Sequence, residues 1–299
     1  MESNYFCIGG HNVCLHFADT TVNSMELLPS FAPFRLDHCP QELFFTLTID
    51  DTLRPVKERK LVRKFDTGNG DTVVYQLPDG GYQYIIRDIH DRDCCLLVCN
   101  NDFTQCRCAL NGDWVMRSFG LNDALMLVYA FAGSFCQTLL IHASCIMLRP
   151  DGPEGEAVAY PFTAKSGTGK STHTSLWMKH IEGAELLNDD NPIVRIIGGQ
   201  PYVFGSPWSG KTPCYRNVKA RLGALTLIER ATRNSIERLG PVQAFATLLP
   251  ACSSMKWDST IYNHLCDTLS HIIETTAVYT LHCLPDEEAA VLCHHTLTK

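Results

Sequence analysis

The alternation of apolar and polar positions divides the chain into a β-rich first part and a second part in which strand and helix signals alternate. Thr72 to Leu77 and Tyr82 to Ile89 alternate around Pro78-Asp79-Gly80-Gly81, a turn sequence that predicts a β-hairpin. Leu43 to Ile49 and Cys94 to Cys99 read as further strands of the same small sheet. Beyond about residue 120 the pattern changes. Ala124 to Leu148 holds no Asp, Glu, Lys or Arg, long enough on that count alone to cross a bilayer. Gln137, Thr138, His142 and Ser144 interrupt it, so it divides better into a buried helix from about Asn122 to Cys136 and a strand from Leu139 to Leu148.

A polar Pro/Gly segment, Arg149 to Glu156, leads to a strand at Ala157 to Thr163, and a helix follows from Thr172 to His180, with Gly183 as its stop. A short strand, Glu185 to Leu187, delivers Asn188-Asp189-Asp190. Strands are also expected at Ile193 to Ile197, Tyr202 to Phe204, Ala224 to Ile228 and Ala277 to Cys283. Ile261, Leu265, Leu269 and Ile272 share one helical face, the spacing of a core-packed helix. The expected organisation is an α/β protein with a β-rich N-terminal domain at 1–120, a candidate for substrate recognition, and a second domain at 121–299.

Composition narrows the partners. A 45% hydrophobic and 19% charged chain of 299 residues has ample material for a globular core. A net charge of -7 argues against a nucleic-acid partner, since phosphate backbones select basic surfaces. The one basic run, Lys57 to Lys64, reads as a solvated turn or helix face. Met1 to Gly10 has neither a basic start nor a long apolar run, so no secretory leader is expected. With fifteen irregularly spaced cysteines and no C-x-x-C, the expectation is reduced thiols in a cytoplasmic protein. The densest group, Cys94, Cys95, Cys99, Cys106 and Cys108, reads as ordinary thiols in preference to a zinc site.

The chemistry is concentrated in Ala164 to Thr172, A-K-S-G-T-G-K-S-T, placed between a strand and a helix as a phosphate-binding loop requires. Gly167 and Gly169 free the backbone to turn successive N–H groups onto one anion, and the helix N-terminus adds partial positive charge. Lys165, Ser166, Gly167, Thr168, Gly169, Lys170, Ser171 and Thr172 are the expected phosphate contacts. Lys170 brings a compact cation toward the β- and γ-phosphates, and the Ser171 hydroxyl suits a magnesium ion. Ala164 stands where the common pattern has Gly.

Asp189 and Asp190 form the second signal, about twenty residues beyond the loop at the end of an apolar strand. A parallel sheet could bring them beside the loop, one to hold metal and the other to accept a proton from a hydroxyl. Neighbours on a strand point to opposite faces, so a bend is expected if both serve. An ordinary polar turn at 188–191 is the competing interpretation.

Together, A-K-S-G-T-G-K-S-T and L-L-N-D-D resemble the core of the HPr kinase and phosphoenolpyruvate carboxykinase group, in which an S-G-x-G-K-[ST] loop precedes a paired-aspartate segment. The resemblance covers roughly residues 139–211, continues more weakly to the C-terminus, and includes a histidine on the strand before the loop, here His142. It implies a mixed sheet of the carboxykinase-like type and an ATP- and Mg2+-dependent kinase acting on a serine-type hydroxyl of a peptide, protein or small molecule. Lys170, Asp189, Asp190 and His142 would be its catalytic groups, with Ser171, Asp189 and Asp190 at the metal. Such relatives often assemble, so a homo-oligomer is compatible with it.

The second Gly-rich signature of HPr kinase is missing. Gly205 to Lys211 stands downstream instead, with Gly210 and Lys211 as a second phosphate contact or a tight surface turn. HPr itself is therefore a poor fit as substrate. A small carboxykinase is disfavoured by chain length, a GTPase by the lack of N-K-x-D, and a non-catalytic nucleotide- or peptide-binding module is the remaining alternative.

Overall fold

The computed structural model describes residues 2–66, 70–152, 154–165, 167–210 and 212–299. They form two compact units: Met1–Cys136 with Met255–Ile261, and Gln137–Ser254 with Tyr262–Lys299. The boundary falls at residue 136 and not near 120, because the intervening helix packs on the N-terminal sheet.

Unit 1 is built on β1 (Glu2–Ile8), β2 (His11–Phe17), β3 (Arg35–Leu36), β4 (Phe45–Ile49), β5 (Lys60–Asp66), β6 (Asp71–Gln76), β7 (Tyr82–Arg87), β8 (Asp93–Cys99) and β9 (Gln105–Leu110). They make one sheet in the order β3-β1-β2-β4-β9-β8-β7-β6-β5. The expected hairpin is present, with Gln76 opposite Tyr82. A second hairpin, β1–β2, turns at Gly9-Gly10, whose φ values of 58° and 76° suit a tight reversal that other residues resist. Lys60 to Lys64 lies in the edge strand β5 and is neither a turn nor a helix face; its charges sit where a sheet edge must resist further pairing.

Helix α1 (Trp114–Ser134) begins at Trp114, not Asn122, because the Asp113 carboxylate caps it by accepting from the Met116 N–H at 3.0 Å. Leu121, Leu125, Val128 and Tyr129 are buried as it packs against β7, β8 and β9. The segment 255–261 completes this core: Trp257 stacks on Phe65 at 5.6 Å, and Asp258 accepts from the Tyr82 hydroxyl at 2.8 Å.

Unit 2 begins with β10 (Thr138–Leu140), β11 (Ala143–Leu148), β12 (Val158–Thr163), α2 (Lys170–His180) and β13 (Glu185–Asp190). It continues with β14 (Ile193–Ile197), β15 (Gln200–Phe204), β16 (Lys219–Leu222), β17 (Ala224–Arg230), β18 (Ser235–Arg238), α3 (Pro241–Leu248), α4 (Ser259–Thr275), β19 (Ala277–Cys283) and α5 (Glu287–Leu297). The sheet is mixed, in the order β10-β14-β15-β16-β12-β17-β19-β18, with β11 also beside β12 and β13 beyond it. Successive residues of β11 and β12 feed opposite faces. Ala143, Cys145, Met147 and Ala159 join Leu248, Leu265 and Leu269 on one side, whereas Ile146, Tyr160 and Phe162 join Trp177, Ala289 and Ala290 on the other. Both faces are covered by helices, which is why these strands read as nearly continuous apolar runs.

Two strands differ from expectation. The run 139–148 is broken at Ile141-His142, where Ile141 bridges to Cys252 and the His142 N–H donates to Ala251 O at 2.7 Å. Strand β13 extends through the aspartate pair, so 188–190 is strand and not turn. The uncharged run 124–148 becomes the second half of α1 followed by β10 and β11; among the described residues no helix is long and apolar enough to cross a membrane. All fifteen cysteines are free thiols.

Candidate functional site

Strand β12 ends at Thr163 and α2 starts at Lys170. Gly167 has φ 75° and Gly169, the residue capping α2, has φ 126°. A Cβ at Gly167 would meet nothing within 4 Å, so the backbone conformation and not crowding selects glycine there. The first bond of the helix runs from the His173 N–H to Gly169 O at 2.9 Å. The N–H groups of Lys170, Ser171 and Thr172 therefore have no acceptor within the helix and stand at its positive end.

The helix start is fixed from below. Trp177 Nε1–H donates to His173 Nε2 at 3.0 Å, which places the His173 proton on Nδ1, and the ring stands edge-on to Phe162 at 4.8 Å. Burial lowers the His173 pKa to about 4, so the ring is neutral near pH 7. The Ser144 and Thr174 hydroxyls meet at 3.0 Å, tying α2 to β11.

Strand β11 links the loop to the aspartates. It pairs antiparallel with β12 on one side and β13 on the other, so β12 and β13 run in the same direction and end at the same edge of the sheet. The two strands are thus parallel to each other across one interposed antiparallel strand. Ser144 lies opposite Asp189 and Ala143 opposite Asp190. The pairing shifts register between Leu186 and Asn188, and the two carboxylates that follow take different partners. Asp189 accepts from the Ser171 hydroxyl at 2.9 Å and from the Thr212 N–H at 3.2 Å. Asp190 lies 3.1 Å from His142 Nδ1 and accepts from Asn191 Nδ2 at 2.7 Å.

Lys170 joins the two sides. Its Nζ lies 2.7 Å from His142 Nε2, giving the chain Lys170–His142–Asp190. With Lys170 as an ammonium, Nε2 accepts from it and Nδ1 faces the Asp190 carboxylate. Burial pulls the Lys170 pKa below its ordinary value, while Asp190 and then Asp189 hold it partly up. Both carboxylates therefore act on the same ammonium.

Gly210 lies against the aspartates. Its N–H donates to Asp189 O, and a Cβ there would come within 2.8 Å of that oxygen, so only glycine allows this segment to lie against the aspartates. The support is a buried network: Asn188 Nδ2 donates to Ser206 Oγ at 3.2 Å and to Trp208 O at 3.1 Å. Ser166 and Lys211 lie outside the described residues. Lys165 and Thr168 border a cleft of about 790 Å³ that also includes His142, Thr163, Glu229 and Thr247. Thr172 lines a second cleft of about 520 Å³ with Leu176, Leu284 and Pro285.

Thr212, Asn191 and Arg230 were not legible as site residues. Arg230 carried the clearest available signal, a charged residue at the carboxyl end of a strand, where open α/β sheets hold ligands. Among the described residues no group of three or more His, Cys, Asp or Glu side chains is placed to hold a metal ion. Ser171 and Asp189 nevertheless supply adjacent oxygen donors, the set magnesium takes when phosphates complete its shell. No protein-family model and no curated protein matches the chain.

Proposed function

We propose that unit 2 is an ATP-dependent, HPr kinase-like phosphotransferase that moves the γ-phosphoryl group to a hydroxyl of a peptide, protein or small molecule. The observation that carries this reading is the meeting, at one helix start, of Lys170 with His142 and of Ser171 with Asp189. The N–H groups of the α2 start, which have no acceptor within the helix, and the Lys170 ammonium suit the β- and γ-phosphates, where charge spreads during transfer. Ser171 and Asp189 would hold magnesium, whose contribution is to neutralise phosphate charge.

Asp190 and His142 form the other half of the site. As the acceptor oxygen bonds to the γ-phosphorus, the bond from that phosphorus to the bridging oxygen breaks, and the hydroxyl proton passes to Asp190. ADP leaves with the bridging oxygen. His142, donating to Asp190, orients that carboxylate, and Lys170 exchanges its contact with the imidazole for one with phosphate.

The test is transfer of label from [γ-32P]ATP to hydroxyl-bearing peptides and small molecules, alongside equilibrium dialysis of Mg-ATP. Asp189→Asn is expected to raise the magnesium requirement, whereas Asp190→Asn should abolish transfer with nucleotide affinity retained. Wild-type protein that neither binds Mg-ATP nor transfers label would overturn the reading.

A further inference from the structure

Arg230 closes strand β17 and is exposed at the same edge of the sheet as the 164–172 loop. Its Nε donates to Thr168 O at 3.0 Å and its Nη2 to Gly167 O at 2.6 Å. A guanidinium is a rigid planar fork, so engaging two successive carbonyls fixes two peptide planes at once. In a trans peptide the C=O and N–H point in opposite directions. Holding the carbonyls of Gly167 and Thr168 toward β17 therefore turns the N–H groups of Thr168 and Gly169 away from it. The Thr168 N–H closes a turn on Lys165 O at 3.1 Å, and the Gly169 N–H precedes those of the first turn of α2.

The charge is as informative as the geometry. The neighbouring carboxylate, Glu229, lies 3.3 Å from His282 Nδ1, and the two described hydrogen bonds of Arg230 go to neutral carbonyls. A cation is thus held beside the positive end of α2, lining the same cleft as Lys165, an arrangement that is unfavourable until an anion arrives.

We infer that Arg230 is a positioning residue: it grips the loop from outside and holds the Gly169 N–H in the anion-receiving direction before any nucleotide binds. The inference rests on the phosphotransferase reading for the identity of the anion, but the grip itself does not. A loop already ordered has less entropy to lose on binding, so the consequence is tighter nucleotide binding through preorganisation.

Arg230→Ala should weaken Mg-ATP binding about tenfold in equilibrium dialysis. Arg230→Lys should do nearly as badly, because a point charge cannot bridge two carbonyls. Millimolar guanidinium should restore part of the affinity of Arg230→Ala. Without any nucleotide, amide exchange at Gly167 to Gly169 should accelerate in both variants. Arg230 is exposed at a strand end, so both should fold, which circular dichroism checks; Arg230→Lys carries the test if the alanine variant does not. Unchanged exchange at Gly167 to Gly169 overturns the grip. Wild-type affinity in Arg230→Lys also overturns it, by showing that charge alone suffices. Wild-type protein that binds no Mg-ATP sinks the phosphotransferase reading instead, and the exchange measurement still decides the role of Arg230.

Discussion

The two units use their hydrogen-bonded polar side chains for different ends. In unit 1, Arg117 donates to Asn23 at 2.9 Å and to Asp51 at 2.7 Å, and Asp51 also accepts the Leu110 N–H at 2.9 Å. These bonds join segments far apart in sequence and close on themselves. In unit 2, Asn188 and Ser206 form the same kind of closed support, but directly beside it lies the chain Asp190–His142–Lys170, which ends at a helix start whose N–H groups have no acceptor within the helix. The difference teaches where to look for function. A satisfied polar network is scaffold, and one that ends in unmatched donors at an open edge is where a ligand completes the pairing.

The sharpest way to break this comparison is Lys170→Ala. It should reduce phosphotransfer on the order of 10³-fold while the melting transition stays in place, because the ammonium lies at an open edge and not in the core. Transfer at the wild-type rate would remove unit 2's claim to the chemistry.

Core truncations test the same contrast through stability. Phe17 in unit 1 and Trp177 in unit 2 are both fully buried, and replacing either with Ala should cost about 3–5 kcal/mol by denaturant titration. Only Trp177→Ala should also lower transfer well below the unfolding transition, since Trp177 holds His173 under the loop. Equal losses of activity in the two variants would show that the scaffold is shared.

His173 gives unit 2 a pH signature. Its folded pKa of about 4 lies below the ordinary histidine value, so between about pH 4 and 6.5 the unfolded chain binds the extra proton. Its contribution is fully present above about 6.5 and lost as pH falls toward 4, on the order of 3 kcal/mol. His173→Gln retains an acceptor for Trp177 and should flatten that slope in unfolding measurements.

The smallest expected effect is at Gly210. Gly210→Ala should push the 209–212 segment off Asp189, costing about 1–2 kcal/mol of stability. Transfer should fall with it, about tenfold. Unchanged activity would detach the segment from the site.

Much of this was legible in the chain because it depends on neighbours in sequence. The strand–glycine loop–helix order at 158–180 and the hairpin at 71–87 follow from periodicity and turn chemistry. Helix α1 showed only its apolar half, since Trp114 and Val115 are exposed and its start is set by the Asp113 cap. The edge strand β5 was hidden because its charges obey edge protection and not a core pattern. Strands β1 and β2 carry one local mark, Gly9-Gly10 between two short runs, which is a hairpin signal.

The sequence by itself determined which groups are available: the glycines whose positive φ lets the loop turn, the lysine and serine that follow it, a histidine and two adjacent aspartates. Tertiary structure decided how they meet. Strand β11 had to be inserted between β12 and β13 to bring both ends to one edge, and the run 139–148 had to break at His142 for its ring to reach Lys170 and Asp190. Pairing register and the direction a side chain takes at a strand break are set by packing against distant segments, here Cys252, Ala251 and Ser209. Those segments carry no local mark of the partner they will find.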